Sequence, residues 1–209
     1  MANQQFSRDL VTGVVLAGGR ATRMGGQDKG LVTIAGQPMV AHVLERLRPQ
    51  VKEVLVNANR NLSSYAALGV RVVSDREADF AGPLAGMASG LAAAGTSWVM
   101  TVPCDSPLLP ADLLQRLSMA LERDDPAELA VAHGEGRMQP VFALLPVHLL
   151  ESMESYLAEG GRKIDRWYAR HRVALADLSD VPSTFFNVNT PEQRQQLEDR
   201  LRSAIGTHG

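Results

Sequence analysis

"GVVLAG", Gly13–Gly18, is a continuous apolar run closed by glycine. It is too short for a core helix and does not alternate, so it predicts a strand buried on both faces. Outward from it, the chain repeats one theme. "PMVAHVLERLRP" (Pro38–Pro49) sets Met39, Val40, Val43, Leu44 and Leu47 on one helical face, with His42, Glu45, Arg46 and Arg48 off it. Pro38 suits the first helical turn, and Pro49 stands near the stop. "EVLVNA" (Glu53–Ala58) predicts a second strand, Leu62–Leu68 a short helix and "VRVVSD" (Val70–Asp75) a third strand. The alanine-rich "GPLAGMASGLAAAG" predicts a helix and "SWVMTVPCD" (Ser97–Asp105) a fourth strand. "PADLLQRLSMALERDD" then places Leu113, Leu114, Leu117 and Leu121 on one face of another helix. Strands alternating with helices pair in parallel through crossovers that cover both faces. The expected fold is α/β: a three-layer α/β/α, doubly wound and mostly parallel sheet.

The second half is less regular. "ELAVAH" (Glu128–His133) and "QPVFALL" (Gln139–Leu145) read as strands joined by "GEGRM". Helical patterns follow at 147–159 and 163–170, then "RVALAD", "FFNVN" and a polar helix from Pro191. There is no internal repeat and no long linker, so residues 1–209 are expected to form one domain.

Bulk composition sets limits. The 209 residues are 45% hydrophobic and 21% charged, with a net charge of -2, which excludes wholesale disorder and a polyanion binder acting by bulk charge. Any anion site must be local. One cysteine, Cys104, allows neither an internal disulfide nor a cysteine-based zinc cluster. It has no basic neighbour and reads as buried filler. The amino-terminal stretch lacks an apolar signal core and no run is long enough to span a bilayer. These features predict a cytoplasmic protein with no membrane and no nucleic-acid partner.

Ligands of open parallel sheets bind beyond the carboxyl ends of the strands. Those ends carry "LAGG", Asn57, Asp75 and Asp105. Asn and Asp are also common turn residues, but their convergence on one edge favours a site. After the first strand, Gly18, Gly19, Gly25, Gly26 and Gly30 crowd together, where the chain's average of 18 in 209 would supply about one. Glycines bring backbone N–H groups close to an anion, and Arg20, Arg23 and Lys29 add positive charge. Gly30 occupies the Ser/Thr position of a Walker loop, and no G-x-G-x-x-G follows the strand. The loop is long enough to wrap a triphosphate. Asp105, in "VPCDSP", is a carboxylate fixed at a strand end opposite it, which suits a magnesium ligand. As a helix cap it would lie too far ahead of Pro110.

"LAGGRATRMGGQDKG", "VNAN", "SD", "GPLAGM", "PCDSP" and "FNVNTPE", in this order, resemble the molybdenum cofactor guanylyltransferases, over Val14 to about Gln196. The Gly25-Gly26 pair followed by Asp28-Lys29 is the more specific part. The resemblance implies a Rossmann-like nucleotidyltransferase, with residues 11–110 as the nucleotide half and 111–209 as the acceptor half. Such an enzyme transfers GMP from GTP to the terminal phosphate of molybdopterin and releases pyrophosphate. It further implies that Leu16, Ala17, Gly18 and Gly19 hold GTP by backbone contacts and that Lys29 meets phosphate. Asn57 and Asp75 would contribute to the GTP site, Asp105 would bind nucleotide and Mg²⁺, and Arg23 would stabilise the departing pyrophosphate. Asn187 and Asn189 match a late motif near the active site. Many relatives carry an aspartate there; two neutral amides argue against a second tightly held magnesium.

On the acceptor side, "GGRKIDRWYARH" offers Arg162, Lys163 and Arg166 beside Trp167, and "RMQPVFAL" offers Arg137, for a phosphorylated planar ligand. Ile164, Trp167 and Tyr168 at helical spacing more often mean core packing. His133, His148 and His171 read as structural or exposed. An enzyme of this type would pass its product to an apo-molybdoenzyme or its chaperone. Three alternatives stay open: the same transfer from CTP, transfer to a sugar phosphate, and nucleotide binding without catalysis. Relatives of the cytidine type tend to read L-A-A-G, so Gly18 favours guanine.

Overall fold

The computed structural model describes residues 6–18, 28–76, 82–124, 126–186 and 191–206. Of the expected site residues, Gly19, Arg23, Asn187 and Asn189 lie outside them, as does Arg20.

The decisive run forms β1 (Val11–Leu16), every residue of which is buried. β2 (Thr33–Ile34) and β3 (Gln37–Pro38) make a small separate hairpin before α1 (Met39–Leu47). β4 (Glu53–Asn57), α2 (Leu62–Ala66), β5 (Arg71–Val73), α3 (Pro83–Ala93), β6 (Trp98–Pro103) and α4 (Leu113–Arg123) complete the first half. β7 (Leu129–Gly134), β8 (Arg137–Pro146), α5 (Leu150–Ala158), α6 (Ile164–Tyr168), β9 (Val173–Asp177) and α7 (Pro191–Gly206) follow. The seven-stranded sheet has the order β5-β4-β1-β6-β8-β7-β9. Its pairings are parallel except those of β8, which runs antiparallel to both β6 and β7. β1 lies inside the sheet between β4 and β6, which is why its sequence carries no polar alternation.

Side chains of β1 alternate between two cores. Val11 and Val15 join α1, Tyr65 of α2 and the leucines of α4 on one face. Val14 and Leu16 join α3, α5 and α6 on the other. Helix α3 comes very close to the sheet: a Cβ on Gly90 would sit 2.8 Å from Val14 Cγ1. Helix α7 packs Leu197 and Leu201 against Ile34 and Met39, over the β2–β3 hairpin. Truncating one of the buried leucines to alanine would cost about 2–5 kcal/mol.

One local expectation changes and another holds. His42, placed off the apolar stripe, is buried, because its Nε2 lies 2.9 Å from the Ile34 carbonyl and so has a polar partner inside. Ile164, Trp167 and Tyr168 are buried core residues of α6 and present no aromatic face to a ligand.

Below these residues a polar relay ties α5, α6 and the start of β7 together. Trp167 Nε1 donates to Ser152 Oγ at 3.3 Å, and Ser152 Oγ lies 3.0 Å from His171 Nε2. His171 Nδ1 is 3.6 Å from Glu128 Oε1, and the Arg172 N–H donates to Glu128 Oε2 at 2.9 Å. The Arg172 backbone bond, then the Arg172 and His171 charges, hold the Glu128 carboxyl below its ordinary 4.5. A depressed folded-state value contributes stability that is complete above about 4.5 and is lost as pH falls through the folded value. Glu128→Gln should therefore cost on the order of 0.5–1 kcal/mol at pH 7, discounted for partial exposure, and little near pH 3. Thermal melts across that range check it. A variant displaced equally at every pH would show that the carboxylate charge is not what matters.

Candidate active site

Four neighbouring strands, β5, β4, β1 and β6, end along one edge of the sheet, and each delivers one expected residue. The Asn57 carbonyl accepts from Ala17 N–H at 2.8 Å, and the Leu16 carbonyl accepts from Cys104 N–H at 3.1 Å. These bonds lace the ends of β1, β4 and β6 just before the chain turns away. Leu16, Ala17 and Gly18 thus sit midway between Asn57 on one side and Asp105 on the other.

On the first side, the buried Asn57 amide donates to Asp75 Oδ1 at 2.8 Å. Asn59 makes a reciprocal pair with Asp75: its amide donates to Oδ2 at 2.7 Å, and its Oδ1 accepts the Asp75 N–H at 2.8 Å. The carboxylate is therefore held on both oxygens. Asn59 went unnoticed in the sequence, although "VNAN" puts it two residues past Asn57, on the same side of an extended chain. Space here is tight. A Cβ on Gly86, in the first turn of α3, would overlap Asn57 Oδ1, and one on Gly18 would lie 3.3 Å from it.

On the other side, Lys29 Nζ stands 3.5 Å from Asp105 Oδ2, with side-chain exposures of 34% and 22%. The lysine opens a 3-10 turn, Lys29–Leu31, capped by Asp28. Both charged groups stay accessible to a ligand. Beside Asp105 lies a cavity of about 230 Å³ lined by Asp105, Ser106, Gln139, Pro140, Phe142 and Phe185, among others. It exists because β8 runs backwards: its beginning, and not its end, lies beside the end of β6. Gln139 is buried and donates to the Gly134 carbonyl at 3.2 Å. The apolar run around it masked this residue in the sequence.

Arg162 and Lys163 are not in the lining of that cavity. The Arg162 guanidinium donates to the carbonyls of Leu157, at 2.8 Å, and Gly161, at 2.6 Å. The Lys163 carbonyl accepts from Tyr156 Oη at 3.1 Å. Arg137 is exposed at the β7–β8 turn, 3.9 Å from Glu135. Cys104 is buried as expected, and burial, followed by the charges of Asp105 and Asp28, pushes its thiol well above the usual range. It does not supply a thiolate.

Magnesium asks for octahedral oxygen ligands and keeps several waters, so one carboxylate plus substrate phosphates is a common donor set. Among the described residues no group of three or more His, Cys, Asp or Glu could form a protein cage for a metal. Asp105 alone, accessible and beside a lysine, fits a magnesium that arrives with a nucleotide. Among the described residues no helix is long and apolar enough to cross a membrane.

Comparison with known proteins agrees with this geometry. Residues 13–177 match the MobA-like NTP transferase domain family. The molybdenum cofactor guanylyltransferase of Shewanella sediminis is 51% identical over 191 residues, which cover 91% of this chain and 97% of that protein. That of Shewanella sp. strain MR-4 is 53% identical over 194 residues, covering 93% and 98%. Among solved structures, the molybdopterin-guanine dinucleotide biosynthesis protein A of Archaeoglobus fulgidus superposes with a TM-score of 0.74 at 20% identity, covering 92% of this chain and 99% of that one. At that identity the superposition speaks for the fold alone. From the family match and the identity over nearly its whole length, the chain belongs to the MobA-like nucleotidyltransferases, in the molybdenum cofactor guanylyltransferase family.

Proposed function

We propose that this enzyme transfers GMP from GTP to the terminal phosphate of molybdopterin. The observation that carries the reading is the Lys29–Asp105 pair, 3.5 Å apart, facing the Asn57–Asp75 pair across the end of β1. One side suits a polyphosphate, the other a base with N–H donors.

A terminal phosphate oxygen of molybdopterin attacks the α-phosphorus of GTP. A new P–O–P link forms, and the bond to the β-phosphate oxygen breaks with its electron pair leaving on pyrophosphate. The nucleophile arrives ionised, so no side chain has to remove a proton. Catalysis is then alignment and charge stabilisation. Lys29 and, beyond the described residues, Arg23 offset charge on the leaving pyrophosphate. Leu16, Ala17 and Gly18 and, beyond the described residues, Gly19 are the residues for backbone contacts to the nucleotide. Asp75, held by two asparagine amides, offers carboxylate oxygens to guanine. Asp105 would hold a Mg²⁺ brought in with the nucleotide, which would supply positive charge to its phosphate oxygens.

The acceptor enters from the cavity beside Asp105, where Phe142 and Phe185 offer apolar faces and Gln139 an amide. Arg162, Lys163, Asn187 and Asn189 remain candidates for its phosphate. Pyrophosphate release from GTP and from CTP, each with and without molybdopterin, tests the assignment. Release from GTP that requires molybdopterin is expected. Equal rates with CTP would move the reading to cytidylyl transfer.

A further inference from the structure

Asp28, immediately before Lys29, is more than a turn residue. Its Oδ1 accepts the Tyr65 hydroxyl at 2.6 Å and the Gly30 N–H at 3.2 Å, and its Oδ2 accepts the Asn61 amide at 3.0 Å. Tyr65 is fully buried among apolar side chains of α1, β4 and β6, surroundings that would suit phenylalanine equally well. Burial, and then the Asp28 bond, push its phenol far above its ordinary value, so the hydroxyl keeps its proton and donates. Asn61 adopts φ +52, in the left-handed region, which costs energy that its amide bond to Asp28 offsets. The turn is also pressed flat. A Cβ on Gly30 would lie 2.6 Å from Tyr65 Oη and 3.3 Å from Cys104 Cβ and Sγ. Cys104 directly precedes Asp105, so Lys29 and Asp105 rest on one shared support.

We propose that Asp28 and Tyr65 are positioning residues for Lys29, clamping its turn so that the ammonium addresses the nucleotide phosphates beside Asp105. The inference rests on GTP being the substrate. A three-residue 3-10 turn has little stability of its own, and a lysine stem is flexible. Fixing the backbone on either side of Lys29 removes most of the ways the ammonium could miss. The clamp also accounts for the Asp28-Lys29-Gly30 sequence: one residue anchors, one acts, and one allows the close approach.

A double-mutant cycle tests this with four full-length proteins: the parent, Tyr65→Phe, Lys29→Ala and the double variant. Molybdopterin-dependent pyrophosphate release from Mg·GTP is measured well below their melting temperatures. Tyr65→Phe should lower kcat/KM about tenfold in the parent, the scale of a slight misplacement. In the Lys29→Ala background it should change the rate less than about twofold, because contacts that act through one another are not additive. Equal losses in both backgrounds would make the clamp merely structural and overturn the proposal. Should Tyr65→Phe fold poorly, the exposed Asn61→Ala enters the same cycle. Calorimetric titration of all four proteins with GTP separates the two hypotheses. A parent that binds GTP but does not turn it over overturns the assigned reaction, and the clamp is then judged by whether Tyr65→Phe weakens GTP only where Lys29 is present.

Discussion

Asp105→Ala is expected to reduce molybdopterin-dependent pyrophosphate release from GTP by about a thousandfold. Charge stabilisation by a metal on phosphate oxygens supplies several kcal/mol, and each 1.4 kcal/mol or so is tenfold in rate. The loss should fall on kcat, because the charge offset grows as pyrophosphate departs. The fold should survive. Asp105 lies beyond the end of β6, and its ion pair with Lys29 is partly exposed, a kind of pair worth about 0–1 kcal/mol. Circular dichroism and a thermal melt establish that point, and Asp105→Asn separates charge from shape. Near-normal turnover by purified Asp105→Ala would remove Asp105 from the metal site.

Asp75→Ala should produce the complementary result. KM for GTP is expected to rise about 10- to 100-fold with kcat within a few-fold, since a charge-assisted bond to a base is worth about 1.5–3 kcal/mol. Part of the loss comes from inside the protein. The Asn57 amide donates to Asp75 and is buried, so removing the acceptor leaves a donor without its better partner. Asp75→Asn retains an acceptor oxygen and should be milder. The ratio of GTP to CTP efficiency should shrink in both. Steady-state kinetics with both nucleotides give the answer, and a collapse in kcat at constant KM would assign Asp75 to the chemistry.

The gathering of these residues at one sheet edge was legible because each sits at the end of an apolar run. Leu16, Asn57, Asp75 and Asp105 fall on one edge as soon as the strands are known to be parallel. Lys29 was legible from the charge and glycine content of its loop. Direction was not legible for β8. "QPVFALL" has the same apolar character whichever way it runs, and the chain from β6 through α4 to β7 gives no sign that a strand will later fill the gap between them. That reversal hid Gln139. Asp28 was read only as part of the motif it forms with Lys29, because its partners Asn61 and Tyr65 are 33 and 37 residues away. His42 was set off the apolar stripe, and its polarity cannot reveal a buried carbonyl waiting for it.

The β7–β8 turn has a consequence for how such enzymes diversify. Glu135 and Gly136, both at positive φ, close a tight hairpin whose tip projects from the ligand edge of the sheet. Its second strand supplies Gln139, Pro140 and Phe142 to the cavity beside Asp105. β8 is tied to β6 further down, where the Thr101 hydroxyl donates to the Val141 carbonyl at 2.7 Å. On the proposed function, the tip of this hairpin and the first residues of β8 form the acceptor wall, while the rest of β8 is built into the sheet beside β6. Lengthening or re-lining that single hairpin would be a direct route to a new phosphorylated acceptor, with the machinery that breaks the triphosphate left as it is.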